Sequence, residues 1–271
     1  MSSTYRVVPG SARSPVVLHV PHGSRHIPES VRERILLDDA ALALELDWMT
    51  DTDTDLLAAE AAEAARERPW VFENLASRLV VDPERFPDER EEMRRVGMGA
   101  VYTATSHGER LRADDPSHVR MLIAEFFDPY ARALADLVED RLAATGRAVI
   151  IDVHSYPSRA LPYELHAAGS RPAVCLGTDD GGFHTPGRLV ETARAAFAEC
   201  GEIALNTPFS GCYVPLRHYR SCRDVSALMI EVRRDTYLRE PAGPRTAGFP
   251  VLVAALTALI DGVGPPYVEG P

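Results

Sequence analysis

The chain has 271 residues, of which 45% are apolar and 25% charged, as in an ordinary globular protein that can form one large α/β domain or two small ones. Forty acidic residues against 29 basic residues give a net charge of -11, which argues against nucleic acid as the main partner but leaves room for a small anionic substrate at a local arginine cluster. Because there is no apolar run near the ~20 residues of a membrane span, no apolar segment typical of a signal peptide and no CxxC pair among the four cysteines, we expect a cytoplasmic protein without membrane contact, disulfide framework or zinc knuckle.

The first third of the chain predicts a strand, a helical region and two further strands. Residues 15–20, PVVLHV, predict a short buried strand that ends at Pro21 and Gly23. Residues 29–66 are rich in alanine, leucine and glutamate and predict helix. The segments PWVFEN and SRLVVD predict a second and a third strand, and the latter leads into the turn-rich loop DPERFPDE. Residues 97–116 are irregular.

The rest of the chain alternates helices and strands. A long amphipathic helix is predicted from Ser117 to Thr145, with Gly146 at its end. The apolar run RAVIIDVHS predicts a central strand with both faces covered, and PAVCLGT, GEIALNTPF and VSALMIEVRR predict three more. Helices are expected at residues 186–200 and 246–262. This alternation predicts one domain over residues 1–271, a three-layer α/β fold with a mostly parallel or mixed sheet, whose functional site lies beyond the carboxyl ends of the strands.

Two histidines follow the ends of two different predicted strands. His22 comes after PVVLHV, and His154 comes after AVIIDV. A single histidine at such a position is more often a surface or hydrogen-bonded loop residue, but two at equivalent positions favour a metal site. Asp152 is two residues before His154 and shares its face of the strand, so it can accept a hydrogen bond from the imidazole and orient it toward a metal. His19, inside the strand, is interpreted as a structural histidine.

A third metal ligand is sought among the acidic residues of LELDWMTDTDTDLL. A catalytic zinc ion commonly has three protein ligands and one open position. Asp47, Asp51 and Asp55 are spaced four apart and would share one face if this segment is helical. The alternative is a solvated acidic helix start in which TDTD supplies caps.

Glu231 is the candidate general base. It stands in the apolar run ALMIEV, where an unpaired charge is costly and desolvation raises the pKa of a carboxyl group. Such a carboxylate suits proton transfer from an attacking water. The alternative is a buried salt bridge with Arg233 or Arg234.

Two arginines supply a candidate anion site. Arg78 stands near the start of the segment SRLVVDPERF and Arg85 near its end. The guanidinium group binds a carboxylate through two hydrogen bonds and can also polarise a carbonyl group. Taken alone, each arginine is more often a solvent-facing charge.

An ordered series of motifs spans about residues 15 to 260. It comprises PHGS, SRLVVDPERFPDE, GMGAVY, DPYARAL, IIDVHSYP, LGT, NTPFSGCYV and ALMIEVRRDTYL. In this order the motifs resemble the N-formylglutamate amidohydrolase family. The resemblance implies a zinc-carboxypeptidase-like (phosphorylase/hydrolase-like) α/β fold and hydrolysis of N-formyl-L-glutamate to formate and glutamate, a late step in one route of histidine breakdown.

The resemblance also implies roles for individual residues. It makes His22, Asp51 and His154 the ligands of a zinc ion, with Glu231 as general base and Arg78 as a second catalytic residue. The residues that it places around the substrate are Arg85, Ser155, Asn206, Tyr213 and Arg233.

The chain departs from the family pattern at three places. Ala131 follows Tyr130 where the family often has a histidine, Glu84 replaces the asparagine of VVDxNR, and LRHYRSCRDVSA replaces a basic turn. These departures bear on substrate identity more than on hydrolysis. The rival hypotheses are a related peptidase or deacylase with another acyl substrate and a non-catalytic protein that binds an acidic amino acid. A serine hydrolase is disfavoured, since no GxSxG motif is present.

Overall fold

The computed structural model describes residues 3–165, 169–179 and 181–264. Its strands are β1 (Tyr5–Val8), β2 (Val16–Val20), β3 (Trp70–Asn74), β4 (Ala148–Tyr156), β5 (Val174–Gly177), β6 (Ile203–Leu205) and β7 (Val225–Arg233). Its α-helices are α1 (Glu29–Arg32), α2 (Asp39–Met49), α3 (Thr54–Ala64), α4 (Pro116–Leu122), α5 (Asp128–Thr145), α6 (Gly187–Ala196) and α7 (Gly248–Val263). A π-helical turn spans Ile123–Phe127, and 3₁₀ turns span Glu92–Val96, Ala198–Cys200 and Arg234–Thr236.

The seven strands form one mixed sheet in the order β1-β3-β2-β4-β7-β5-β6. Strands β2, β3, β4 and β7 run parallel to one another, while β1 is antiparallel to β3 and β5 is antiparallel to β7. Strand β4 is buried along its whole length, which fits its central place and its continuous apolar run. The predicted α/β class with a mixed sheet is confirmed.

Helices cover both faces of the sheet. On one face, α3, α6 and α7 pack against β2, β4, β5 and β7 in the largest hydrophobic cluster. On the other face, α5 packs through Tyr130, Leu134 and Val138 against β2, β4 and β7. The result is a three-layer arrangement that leaves the carboxyl edge of the parallel strands open to loops.

The segment SRLVVD is a buried turn, so the prediction of a third strand there is wrong. Ser77 explains the difference, because its carbonyl oxygen accepts from Val80 N and its hydroxyl accepts from Leu79 N, which closes a local turn. Leu79 and Val80 then pack in two different small hydrophobic clusters. The side chains of this segment are apolar because they are buried under a loop, and the segment does not pair in a sheet.

The predicted long helices are divided at specific residues. Residues 29–66 form three helices, and Asp53, with φ 63°, precedes the third. The helix predicted from Ser117 contains a π-helical turn just before Pro129, which has no backbone N–H to donate. Gly146 ends α5 with φ 76°, as predicted.

In the three described ranges, none of the helices combines the length and the apolar character that a bilayer crossing requires.

Candidate active site and metal centre

The carboxyl edge of the sheet brings His22, His154 and Glu231 together. His22 lies two residues beyond the end of β2, and β2 neighbours β4, which carries His154. Across the next pair of strands, His154 lies directly opposite Glu231 of β7. Asp51 reaches the same place from the break between α2 and α3, where its backbone N–H donates to the carbonyl oxygen of His22 over 3.0 Å.

Three of these side chains form a compact triangle of ligand atoms. Nδ1 of His22 lies 3.2 Å from Nδ1 of His154, which lies 3.1 Å from Oδ2 of Asp51. The third edge, from His22 Nδ1 to Asp51 Oδ2, is 3.7 Å. A zinc ion at about 2.0–2.1 Å from three tetrahedral ligands would hold them about 3.3 Å apart. All three residues are buried, and their types and spacing allow them to hold a metal ion.

The opposite nitrogen of each imidazole faces a carboxylate. His22 Nε2 hydrogen-bonds to Oδ1 of Asp82 over 2.9 Å. His154 Nε2 lies 3.1 Å from Oδ1 of Asp152 and 3.2 Å from Oε2 of Glu84, as ionic contacts without hydrogen-bond geometry. Carboxylates in these places orient the rings and direct Nδ1 toward the centre of the triangle.

The electrostatic surroundings favour positive charge in the triangle. Burial alone would lower the pKa of His154, but Glu84 and Asp152 raise it well above its usual value. Burial would raise the pKa of Asp51, yet hydrogen bonds and charge from His154 and His22 lower it. A field that stabilises a proton on buried imidazoles would also stabilise a divalent cation between them.

Arg234 fixes the orientation of Asp51. Its Nη2 donates to Asp51 Oδ1 over 3.1 Å, its Nη1 to the carbonyl oxygen of Trp48 over 2.6 Å and its Nε to the hydroxyl of Ser155 over 3.2 Å. Because Oδ1 is held in this way, Oδ2 faces the two histidines. Arg234 is itself 2% exposed, so it acts as a fixed buried cation.

Arg78 and Arg85 flank the acidic cluster. Arg78 donates from Nη2 to Asp82 over 2.8 Å and from Nε to the hydroxyl of Tyr102 over 2.9 Å. Arg85 is paired more loosely, at 3.5 Å from Asp82 and 3.8 Å from Glu91. Burial would lower the pKa of either arginine, but Asp82 among other groups keeps both raised, so both stay charged.

Glu231 is buried without a partner for one of its oxygens. Within the described residues, Oε2 has no hydrogen bond and no ion pair within 4 Å involves this carboxylate. Burial raises its pKa to about 7, with His154 lowering it and Asp51 raising it. The alternative salt bridge with Arg233 or Arg234 is not formed, because these arginines pair with Asp235 and Asp51.

A single cavity of about 680 Å³ contains this cluster. Its walls include all three candidate metal ligands and Glu231, together with Asp152, Arg78 and Arg85. Away from the cluster the lining becomes apolar and aromatic. A concave site with a few converging polar groups and perturbed pKa values is typical of an active site.

The other predicted binding residues divide into two groups. Ser155 and Tyr213 line the cavity. Asn206 is exposed and exchanges hydrogen bonds with Thr178, away from the cavity wall. Arg233 lies outside the lining as well, held by Asp235 and the carbonyl oxygen of Arg171.

Sequence reasoning did not assign the site's other charged residues. Asp82 and Arg234 directly orient His22 and Asp51, and Glu84 contacts His154. The position of Arg234 in EVRR, close to Glu231, indicates that it could lie near the site. The fold is needed to show that its side chain binds Asp51. His19 is buried with both ring nitrogens hydrogen-bonded, to Asp152 and Tyr130, in agreement with its predicted structural role.

Comparison with known proteins gives a consistent result. A sequence model of the N-formylglutamate amidohydrolase family matches residues 14–238. The N-formylglutamate deformylase of Pseudomonas aeruginosa is 26% identical over 240 residues, which are 85% of this chain and 84% of that protein. The crystal structure of an N-formylglutamate amidohydrolase from Ralstonia eutropha has a TM-score of 0.77 at 22% identity, covering 95% of this chain and 96% of that one. A gene product of Agrobacterium tumefaciens has the same fold, with a TM-score of 0.65 at 18% identity over 87% and 86% of the two chains.

Proposed function

The chain belongs to the N-formylglutamate amidohydrolase family, and from this we propose that it uses zinc to hydrolyse the amide bond of a small N-acyl amino acid, N-formyl-L-glutamate first of all. The observation that carries the proposal is the buried triangle of His22, His154 and Asp51 beside the unpaired carboxylate of Glu231.

The donor set fits zinc in type and in spacing. Two imidazole nitrogens and one carboxylate oxygen are common ligands of catalytic zinc, and the edges of 3.1, 3.2 and 3.7 Å bracket the tetrahedral spacing. Five carboxylates line this end of the cavity against three arginines, an excess that a divalent cation would offset. These are Asp51, Asp82, Glu84, Asp152 and Glu231 against Arg78, Arg85 and Arg234. Zinc in this place would act as a Lewis acid toward the acyl carbonyl and would acidify the attacking water.

Glu231 would move the proton. With a pKa of about 7, its carboxylate is partly ionised near neutral pH and can accept a proton from the attacking water. The same group can then donate that proton to the leaving amine nitrogen, which completes hydrolysis without a second acid. Its burial excludes bulk water from competing for Oε2.

The arginines would hold and polarise the substrate. Arg78 is held by Asp82 and Tyr102 close to the triangle, where it can stabilise negative charge on the carbonyl oxygen. Arg85 is loosely paired and can bind a substrate carboxylate. Arg78 and Arg85 both contact Asp82, so they lie on one side of the cavity. On that side we locate the amino-acid half of the substrate.

The wider role follows from this chemistry. The proposal includes one domain acting in the cytoplasm on a small anion, without nucleic acid or membrane partners, in a step of histidine breakdown. The net charge of -11 and the arginines that line the cavity are compatible with it.

Metal analysis coupled to formate release tests the proposal. Purified protein should contain zinc, or regain activity when zinc is added to the metal-free form, and should release formate from N-formyl-L-glutamate. Protein that binds no zinc and releases no formate after zinc addition would refute it.

A further inference from the structure

The cavity is much larger than N-formyl-L-glutamate requires. This substrate has twelve non-hydrogen atoms, which would fill about half of the cavity even if each took the ~30 Å³ of a water molecule in the liquid. The cavity holds about 680 Å³. A pocket of this size is in the range of ligands larger than a formylated amino acid.

The extra space extends toward α5. We call this region the apolar arm and define it by six residues that line it, Phe86, Phe127, Ala131, Ala135, Leu216 and Tyr219. Ala131 and Ala135 lie one helical turn apart on α5, so their small side chains leave room on one face of the helix. The rings of Phe86 and Tyr219 meet edge to face with centroids 6.3 Å apart, which joins the loop side of the arm to the segment before β7.

Three exposed arginines also line the cavity. Arg90 is paired with Asp88 at 2.6 Å and Arg217 with Asp136 at 2.7 Å, while Arg132, next to Ala131, has no ion pair within 4 Å among the described residues. Arg85 is loosely paired and lies beside Arg78, since both contact Asp82. That polar side suits the amino-acid carboxylates, and the apolar arm suits the acyl group.

We propose that the apolar arm binds an aliphatic or aromatic acyl group larger than formyl, so that the site takes, besides N-formyl-L-glutamate, N-acyl-L-amino acids with a medium-length apolar acyl chain. This inference rests on the proposed function, since it extends the same site. Burial of methylene groups in the arm would favour the longer substrate, and Ala131 would set how much of the acyl chain fits.

The test compares glutamate release by the zinc-loaded protein from N-formyl-, N-hexanoyl- and N-succinyl-L-glutamate. We expect kcat/KM for the hexanoyl substrate to lie within about tenfold of that for the formyl substrate. Ala131→Leu, which fills the arm, should shift the ratio of the hexanoyl to the formyl kcat/KM at least about tenfold toward formyl. The matched control Ala143→Leu, on an exposed part of α5, should leave the ratio unchanged.

The possible outcomes separate the two proposals. Release from the formyl substrate alone, or an unchanged ratio in a folded Ala131→Leu protein, would overturn the assignment of the arm while sparing the proposed function. Preference for the succinyl substrate would overturn its apolar character. No release from any substrate would instead count against the proposed function. If Ala131→Leu does not fold, two other measurements test the proposal. Ala131→Val should shift the ratio in the same direction, and the Glu231→Gln protein should bind the intact hexanoyl substrate more tightly than the formyl substrate.

Discussion

Nδ1 of His22 and Nδ1 of His154 lie 3.2 Å apart, although 132 residues separate them in the chain. The two nitrogen atoms come close because β2 and β4 are neighbouring parallel strands, whose carboxyl ends lie at the same edge of the sheet. Asp51 closes the triangle from a helix break. Two buried imidazoles this close, with carboxylates behind them, are stabilised when a cation shares their nitrogen atoms.

Loss of either histidine should therefore abolish metal binding. His22→Ala and His154→Ala should lower zinc content from about one ion per chain to near zero and remove formate release, because two ligands do not retain a catalytic zinc ion. Elemental analysis after dialysis measures the content. His26→Ala, in an exposed position of the same loop, is the control. Zinc retained in full by both ligand variants would exclude this site.

Glu231→Gln should separate metal binding from turnover. The amide keeps the shape of the side chain but cannot accept the proton, so kcat should fall by about 10²- to 10⁴-fold while zinc content and thermal stability remain close to those of the wild type. Stopped assays of formate release measure kcat. Glu89→Gln, an exposed change in the same chain, should have no effect. Near-normal turnover in Glu231→Gln would remove this residue from the mechanism.

The pH dependence follows from the raised pKa of Glu231. Only the ionised carboxylate can accept a proton, and its pKa is about 7. Activity is therefore lost as the pH falls through 7, with about nine-tenths of the carboxylate ionised at pH 8 and about one-tenth at pH 6. In the wild type, kcat/KM measured from pH 5.5 to 9 should rise as the pH increases through 7. In Glu231→Gln this rise should be absent. A profile that is flat across neutral pH, or that falls as pH increases, is inconsistent with this role.

The sequence predicted the parts of the site that local patterns determine. His22 and His154 follow short apolar runs that predict buried strands, and parallel strand ends meet at one edge. His22 lies past the end of β2 as predicted, whereas β4 continues through His154 to Tyr156, so His154 reaches the same edge from within its strand. Glu231 is identified because a charged side chain inside the apolar run ALMIEV is costly to bury unless it is paired. In each case the residue and the evidence for its environment lie within about five positions of each other.

The remaining parts depend on contacts between distant segments. Asp82 was read as the end of a strand, yet it lies in a turn that only the fold brings to His22, 60 residues away. The break between α2 and α3 that directs Asp51 into the site is not evident from the continuous helical composition of this segment. Arg234 and Arg233 are adjacent in sequence, and only the turn that follows β7 decides that Arg234 enters the site. Composition and periodicity contain no information on such choices.

Asp82→Asn should weaken zinc binding without removing a ligand. Asp82 accepts from His22 Nε2 and pairs with Arg78, so the neutral amide weakens the orientation and basicity of that imidazole. We expect affinity for zinc to fall about 10- to 100-fold, measured by competition with a chelating dye. Asp88→Asn, in the same loop and paired with Arg90, is the matched control. Equal affinities for the two variants would show that Asp82 does not support the metal ligand.

Arg85 and Arg233 provide the sharpest contrast between the fold and the sequence pattern, because the motif resemblance implicated both and the cavity contains only the first. Arg85→Met keeps the apolar stem and removes the charge, so loss of charged hydrogen bonds to the substrate should raise KM for N-formyl-L-glutamate about 10- to 100-fold. Arg233→Met should leave KM within about twofold, since Arg233 is bound to Asp235 and to the backbone of Arg171 outside the cavity. Initial-rate kinetics on both variants, with zinc content measured in parallel, test this contrast. A larger rise in KM for Arg233→Met than for Arg85→Met would place the substrate carboxylate elsewhere and would require a different orientation of the substrate in the site.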